Sequence, residues 1–232
     1  MIDVARAADR GLTKTSWLDG RHTFSFNRYH NPKRMGFRAL RVINDDLIAP
    51  GGAFGMHPHE NMEILTWILE GGLAHQDSTG ARGVIRPGDV QRMSAGTGIW
   101  HSESNASKTE RVHLLQIWLY PERDGIKPSY EDTSFPIEER TNRLRVIASP
   151  DAREGSAKIH QDATVYNAVL DAGTKVEYAL APGRHAWLQV GRGSVELNGA
   201  GLKEGDGAGV SDETALRITA AEPSEVLLFD LA

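Results

Sequence analysis

The chain has 232 residues, 40% of them hydrophobic and 25% charged, with a formal net charge of -5 and no cysteine. That balance is ordinary for a soluble globular protein of one large or two smaller domains, and it gives no support for nucleic acid or an anionic membrane as a partner. The lack of cysteine excludes disulfides, thiol catalysis and iron–sulfur ligation, and with no apolar leader or membrane-length run a reducing cytoplasm is the expected location.

Short extended segments punctuated by 24 glycines and 10 prolines predict an all-β protein. HTFSF at 22–26 alternates Phe24 and Phe26 with polar neighbours and reads as a strand. FRALRV at 37–42 is a second strand, and NDDLIAPGG after it reads as a loop. His22 and His30 are expected at the surface or in turns. EILTWILEGG, from Glu63, is a strand closed by Gly71 and Gly72. LAHQDSTG follows as a short strand and turn. His75 and Asp77 there could orient a metal ligand, but the pair fits a solvated face better and is left out of the site. RPGDV carries a turn at Gly88, and MSAGTGI leads into WHSES. RVHLLQIWLY (111–120) is the most apolar strand, with His113 expected as a packed or hydrogen-bonded core residue.

Residues 121–143 are charged, proline-containing and without a period, so they read as a linker. The domains are accordingly set at 1–125, a linker at 126–143, and 144–232. LRVIAS, TVYNAVL, TKVEYAL, AWLQV, SVELN, ALRIT and EVLLFDL then follow at the spacing of an all-β sandwich or barrel. Helix is expected only in short pieces near 5–10 and in the linker. An internal repeat is also visible: TWILEGG at 66–72 resembles WLQVGRG at 187–193, and PGD at 87–89 resembles EGD at 204–206. A slide of 121 residues brings Gly72 onto Gly193 and Leu69 onto Val190, and puts Tyr178, Leu180 and Arg184 where His57, His59 and Glu63 stand. The second half reads as a copy of the first fold without its ligands.

The chemistry concentrates between Gly51 and Asn105. His57-Pro58-His59 and His101-Ser102-Glu103 are both spaced i, i+2, so on strands each pair shares one face. If the two strands oppose each other, three imidazoles and one carboxylate converge. Such a set suits a divalent first-row metal with positions left open, whereas a closed structural zinc site favours cysteine.

HxH with a Glu four residues on, then Gly98, His101 and Asn105, resemble the two motifs of the cupin superfamily. WLDGRHTFSF, ALRVINDD, GMHPHENMEILTWILEGG, HQDSTG, MSAGTGIWHSE and HLLQIW more specifically resemble pirin and the bacterial pirin-like quercetin 2,3-dioxygenases, over nearly all of residues 16–120. This resemblance implies a bicupin, two double-stranded β-helix (jelly-roll) barrels in tandem. The N-terminal barrel would hold one divalent metal, usually iron, with manganese, cobalt, nickel, copper or zinc compatible with the donors. The C-terminal barrel would be degenerate. Ser94 stands where cupins usually have proline, and AGTG adds two residues before His101; both departures are those of the pirin branch. In most cupins the carboxylate ligand would correspond to Glu63, and in pirins to Glu103. We take His57, His59, His101 and Glu103 as the ligands, with Glu103 also as general base. The implied reaction opens the central ring of a flavonol with dioxygen and releases carbon monoxide. The alternative the family offers is a redox-sensing metal protein that binds and modulates a protein partner without turnover.

Overall fold

The computed structural model describes residues 1–232. Nearly all regular structure is strand; helix is limited to Ile137–Arg140 and two 3-10 turns, Ala7–Asp9 and Arg153–Gly155. The chain forms two compact units, one of residues 11–134 with 157–161, the other of residues 1–10, 135–156 and 162–232.

These bounds differ from those expected. The first ten residues join the C-terminal unit because Ile2–Ala5 pairs antiparallel with Gly207–Val210. Part of the expected linker is a strand, Ser129–Ser134, hydrogen-bonded along Asp89–Ser94. Its polar sequence, SYEDTS, hid it; the ladder to a neighbouring strand supplies what hydrophobic alternation does not.

In the N-terminal unit the larger antiparallel sheet runs Ser129–Ser134, Asp89–Ser94, Glu63–Glu70, Val112–Leu119, Leu40–Ile48, Leu18–His22, Gly11–Lys14. The smaller runs Ala53–His59, Ile99–Asn105, Leu73–Asp77, Arg82–Ile85. The C-terminal unit repeats this order. Its larger sheet runs Ile2–Ala5, Gly207–Val210, His185–Arg192, Ser224–Leu231, Ala163–Leu170, Arg145–Ser149, and its smaller Lys175–Ala179, Ala215–Ala220, Ser194–Leu197, Ala200–Lys203. The fold is the expected tandem of two all-β jelly-roll barrels. At one turn the repeat is offset by a residue from the sequence alignment: Gly71, not Gly72, matches Gly193. Both have positive φ, 78° and 74°, and a Cβ on either would strike a backbone carbonyl, that of Arg111 or of Pro223.

Two local expectations are corrected. The strand ends at His22 rather than running through HTFSF, because Ser25 turns aside to bond the 31–34 turn. Conversely, NDDLI is not loop: Leu40–Ile48 is one continuous strand. Its polar residues have partners or a cavity to face, so they do not signal solvent.

Candidate metal centre

Ala53–His59 and Ile99–Asn105 pair antiparallel, with His101 opposite His57 and Ile99 opposite His59, and a bulge between His101 and Glu103. The HxH and HxE segments therefore lie on adjacent strands. The three imidazole centroids are 4.4–4.8 Å apart, and one nitrogen from each lies within 4.8 Å of the others. His57 Nδ1 is 2.7 Å from the Gly55 carbonyl, which can only accept, so this nitrogen carries the proton and Nε2 is left as a lone pair. That Nε2 faces His101 Nε2 at 3.0 Å. His59 Nε2 is buried and has no hydrogen-bond partner. Burial, then the neighbouring His57, pull the His59 pKa down to about 4, and burial followed by the other histidines pushes His101 far down. Imidazole nitrogens turned toward one another can offer their lone pairs to one cation; the donor chemistry fits a transition metal.

His101 and Glu103 are buried, whereas His57, His59 and Glu103 line a cavity of about 440 Å³. Its walls are largely apolar, with Trp17, Phe26, Phe54, Leu114 and Trp118, and Trp118 packs edge-on against His59 at 4.9 Å. Burial lifts the Glu103 carboxyl to about 7, against the donation it receives from Gln116 Nε2 at 3.5 Å. Thr66 Oγ1 in turn donates to Gln116 Oε1 at 2.7 Å. Glu103 also forms a close group with His75 and His101, whereas Glu63 belongs to no such cluster. The Glu63 carboxylate instead accepts from the Ser94 hydroxyl at 2.9 Å and the His160 amide at 3.1 Å, tying residues 157–161 to this barrel.

Several polar residues lie elsewhere than expected. His22 is not at the surface: it is buried on the cavity wall, bonded to Asn44 Oδ1 at 2.7 Å and Thr13 Oγ1 at 2.8 Å. His30 is exposed, and His113 is a buried core residue held by Asp45 at 2.6 Å. His75 and Asp77 are not on a solvated face; both side chains are fully buried and 3.0 Å apart. Burial pulls the His75 pKa down despite Asp77, so its ring is neutral. Burial opposes ionisation of Asp77, but Thr79 and His75 prevail and hold it below the usual range.

Sequence reasoning passed over Thr66, Gln116, Asn44 and Asp46. The signal was a lone polar residue at the centre of an apolar strand, as in EILTWILE and VHLLQIWL. Asp46 lines the cavity with Oδ1 unpartnered, and burial, then Asp45 and Glu103, push its pKa up to about 8.

Two jelly-roll barrels, one carrying inward histidines at HxH and HxE, define a two-domain cupin protein. The Pirin family model matches residues 4–119, and a model described as the quercetinase C-terminal cupin domain matches residues 146–231. The chain belongs to the pirin family. It is 49% identical over 231 residues to the quercetin 2,3-dioxygenase of Escherichia coli K12, covering 100% of this chain and 99% of that one. The crystal structure of YhhW from Escherichia coli superposes with a TM-score of 0.96 at 49% identity, covering 100% of this chain and 98% of that chain. The bacterial pirin YhhW in complex with nickel(II) gives a TM-score of 0.95 at 48% identity, covering 100% and 99%.

Proposed function

We propose that this protein is a metal-dependent dioxygenase that opens the central ring of a flavonol such as quercetin with O2 and releases carbon monoxide. In this reading His57, His59, His101 and Glu103 hold one divalent cation. The observation that carries it is the convergence of three unprotonated-capable imidazole nitrogens beside an apolar cavity with aromatic walls. The resemblance to a quercetin 2,3-dioxygenase over the full chain supports the substrate class. Iron is the family expectation, and a relative solved with nickel(II) supports a divalent ion without fixing which.

A divalent cation on these donors supplies the Lewis acidity that makes a flavonol hydroxyl acidic. Trp17, Phe26, Phe54 and Trp118 offer a flat aromatic substrate apolar surfaces, in a cavity within the roughly 300–1,000 Å³ usual for small ligands. Glu103 lines the same cavity and would accept the hydroxyl proton. Both oxygen atoms of O2 and every carbon of the flavonol are accounted for in the depside ester and carbon monoxide. Electrons come from the substrate, and no coenzyme is needed.

The test is elemental analysis of untagged protein with a flavonol assay at equal metal occupancy. One metal per chain is expected. Glu103→Gln should weaken metal binding and lower turnover by at least about a hundredfold, the scale of a lost general base. Glu63→Gln should leave metal content nearly intact. If Glu63→Gln strips the metal while Glu103→Gln retains it, the ligand assignment is wrong. If the loaded wild type turns over no flavonol, the dioxygenase reading fails.

A further inference from the structure

One polar side chain on the cavity wall stands apart from its neighbours. Asn44 and Asp46 are two residues apart on the strand Leu40–Ile48, so they share a face, and both line the cavity. Asn44 Oδ1 accepts from His22 Nδ1 at 2.7 Å, and Gln116, which pairs with Asn44, receives the Thr66 hydroxyl at 2.7 Å. Asp45, on the opposite face, is held by His113 Nε2 at 2.6 Å. The protein answers each of these groups. Asp46 is only 5% exposed, yet its Oδ1 is buried without a hydrogen-bond partner.

The neighbouring strand leaves room for this carboxyl. Leu18–His22 sets Gly20 opposite Asp46, and a Cβ at position 20 would come within 2.6 Å of Asp46 Oδ1. Glycine inside a strand weakens it, and such a residue often marks a place where another group approaches closely. A buried carboxyl with an unmet oxygen costs free energy until something donates to it. Other lining residues cannot do so: Leu114 pairs with Asp46, and Trp17 packs edge-on against Phe54 at 5.0 Å. A lone acceptor on an apolar, aromatic wall matches a hydroxyl carried on a flat aromatic ring. The match does not depend on ionisation, because a carboxyl keeps an acceptor oxygen in either protonation state.

We infer that Asp46 is a specificity-determining residue, whose carboxyl accepts a hydrogen bond from a phenolic hydroxyl of the substrate other than the one that meets the histidines. The inference rests on the proposed function for the identity of the ligand as a flavonol. It adds that the cavity selects polyhydroxylated flavonols over those that carry the 3-hydroxyl alone. Sites built to bond a substrate hydroxyl reject the analogue lacking it, because their own polar group is then left unpaired.

Quercetin and 3-hydroxyflavone test this, since the second keeps the ring system and the 3-hydroxyl but lacks the other hydroxyls. Binding is read by quenching of tryptophan fluorescence with oxygen excluded, so that no turnover intervenes. The wild type is expected to bind quercetin at least about tenfold more tightly than 3-hydroxyflavone, the scale of one hydrogen bond to a buried group. Asp46→Leu, which removes the acceptor, should bring the two ligands within about twofold of each other while the fold holds by circular dichroism. Asp46→Asn keeps an acceptor oxygen and should retain the preference, which separates the contact from a general disturbance of the cavity. A wild type without the preference overturns the inference before any variant is made. So does an Asp46→Leu protein that keeps the preference, or an Asp46→Asn protein that loses it as fully. If the loaded wild type turns over flavonols yet shows no preference, this inference fails alone. If it shows the preference yet turns over no flavonol in air, the dioxygenase reading fails and the role of Asp46 in recognition stands.

Discussion

The two barrels share a strand order and differ in what fills them. Strand registers match position to position. His101 and Glu103 face Asp77 and His75 on one neighbour, and in the other barrel Ile218 faces Leu197, the equivalent of His75. His57 pairs with His101 where Tyr178 pairs with Leu216. Gln116 pairs with Thr66 and Asn44 where Leu228 pairs with Leu188 and Tyr166. Most polar groups of the site thus have a leucine or isoleucine as counterpart. Accordingly, one cluster of buried apolar residues, drawn from both sheets, fills the C-terminal barrel. In the N-terminal barrel the apolar residues form separate clusters, one around Ile48, Ile68 and Leu114, another around Ile64, Met93 and Ile99. Thr66 lies between Ile64 and Ile68 on the same strand face, which is where the continuity breaks. A buried leucine stabilises by roughly 1.5–3 kcal/mol, whereas a buried polar group costs free energy unless partnered. The C-terminal barrel is built for stability, and the N-terminal one gives up part of it for chemistry. Even the counterpart of His57 is satisfied locally: the Tyr178 hydroxyl donates to Asp230, which Arg184 also holds.

The sharpest way to break this contrast is Leu216→Ala, which opens a hole in the continuous core. Its expected cost is about 2–5 kcal/mol by denaturant melting; a loss below about 1 kcal/mol would mean the second barrel is not the close-packed one. A smaller effect belongs to Asp46 in the metal-free protein. Its folded pKa of about 8 lies above the 3.8 of an unperturbed aspartate, so the folded state binds more protons than the unfolded between those values. Stability through this group is full below about pH 4 and is lost as pH rises toward 8. Asp46→Asn removes the loss, so the variant should gain on the wild type by about 1–3 kcal/mol between pH 4 and pH 8. A difference that does not vary with pH would show that Asp46 ionises freely in the cavity wall. The smallest effect tests the sameness of the barrels: Gly71→Ala and Gly193→Ala should each cost about 1 kcal/mol or more, and by similar amounts. If melting shows one of them to be neutral, the two turns are not equivalent.

The convergence of His57, His59 and His101 was legible because HxH and HxE encode one face of a strand in the sequence itself, whatever lies across from it. His75 and Asp77 carry the same i, i+2 signature, yet their burial depends on Tyr130, contributed by a strand that looked like linker. His22 misled for a similar reason: its partners Asn44 and Thr13 come from different strands, and Asn44 sits in a segment whose polarity imitates a loop. The repeat could be seen from its glycines and turns. Its register could not, because the loops of the second barrel are shorter and the offset between halves drifts along the chain. What stayed hidden was pairing between distant residues, of which Ile2–Ala5 on Gly207–Val210 is the extreme case.

That pairing has a consequence for how the molecule is made. The Ala7 amide bonds Asp206 Oδ1 at 2.7 Å and Arg6 Nη1 bonds Oδ2 at 2.8 Å, fastening the beginning of the chain beside its last strands. During synthesis Ile2–Ala5 emerges well before Gly207–Val210 and must wait for that strand before it can dock. The first barrel can assemble while translation continues, but the edge at Gly207–Val210 is sealed only after some two hundred further residues have appeared. Closing so long a loop is entropically slow, and an unsealed edge strand invites pairing with other chains. Newly made copies are therefore most prone to aggregate in the interval before that clasp closes, with the histidine-bearing barrel already formed.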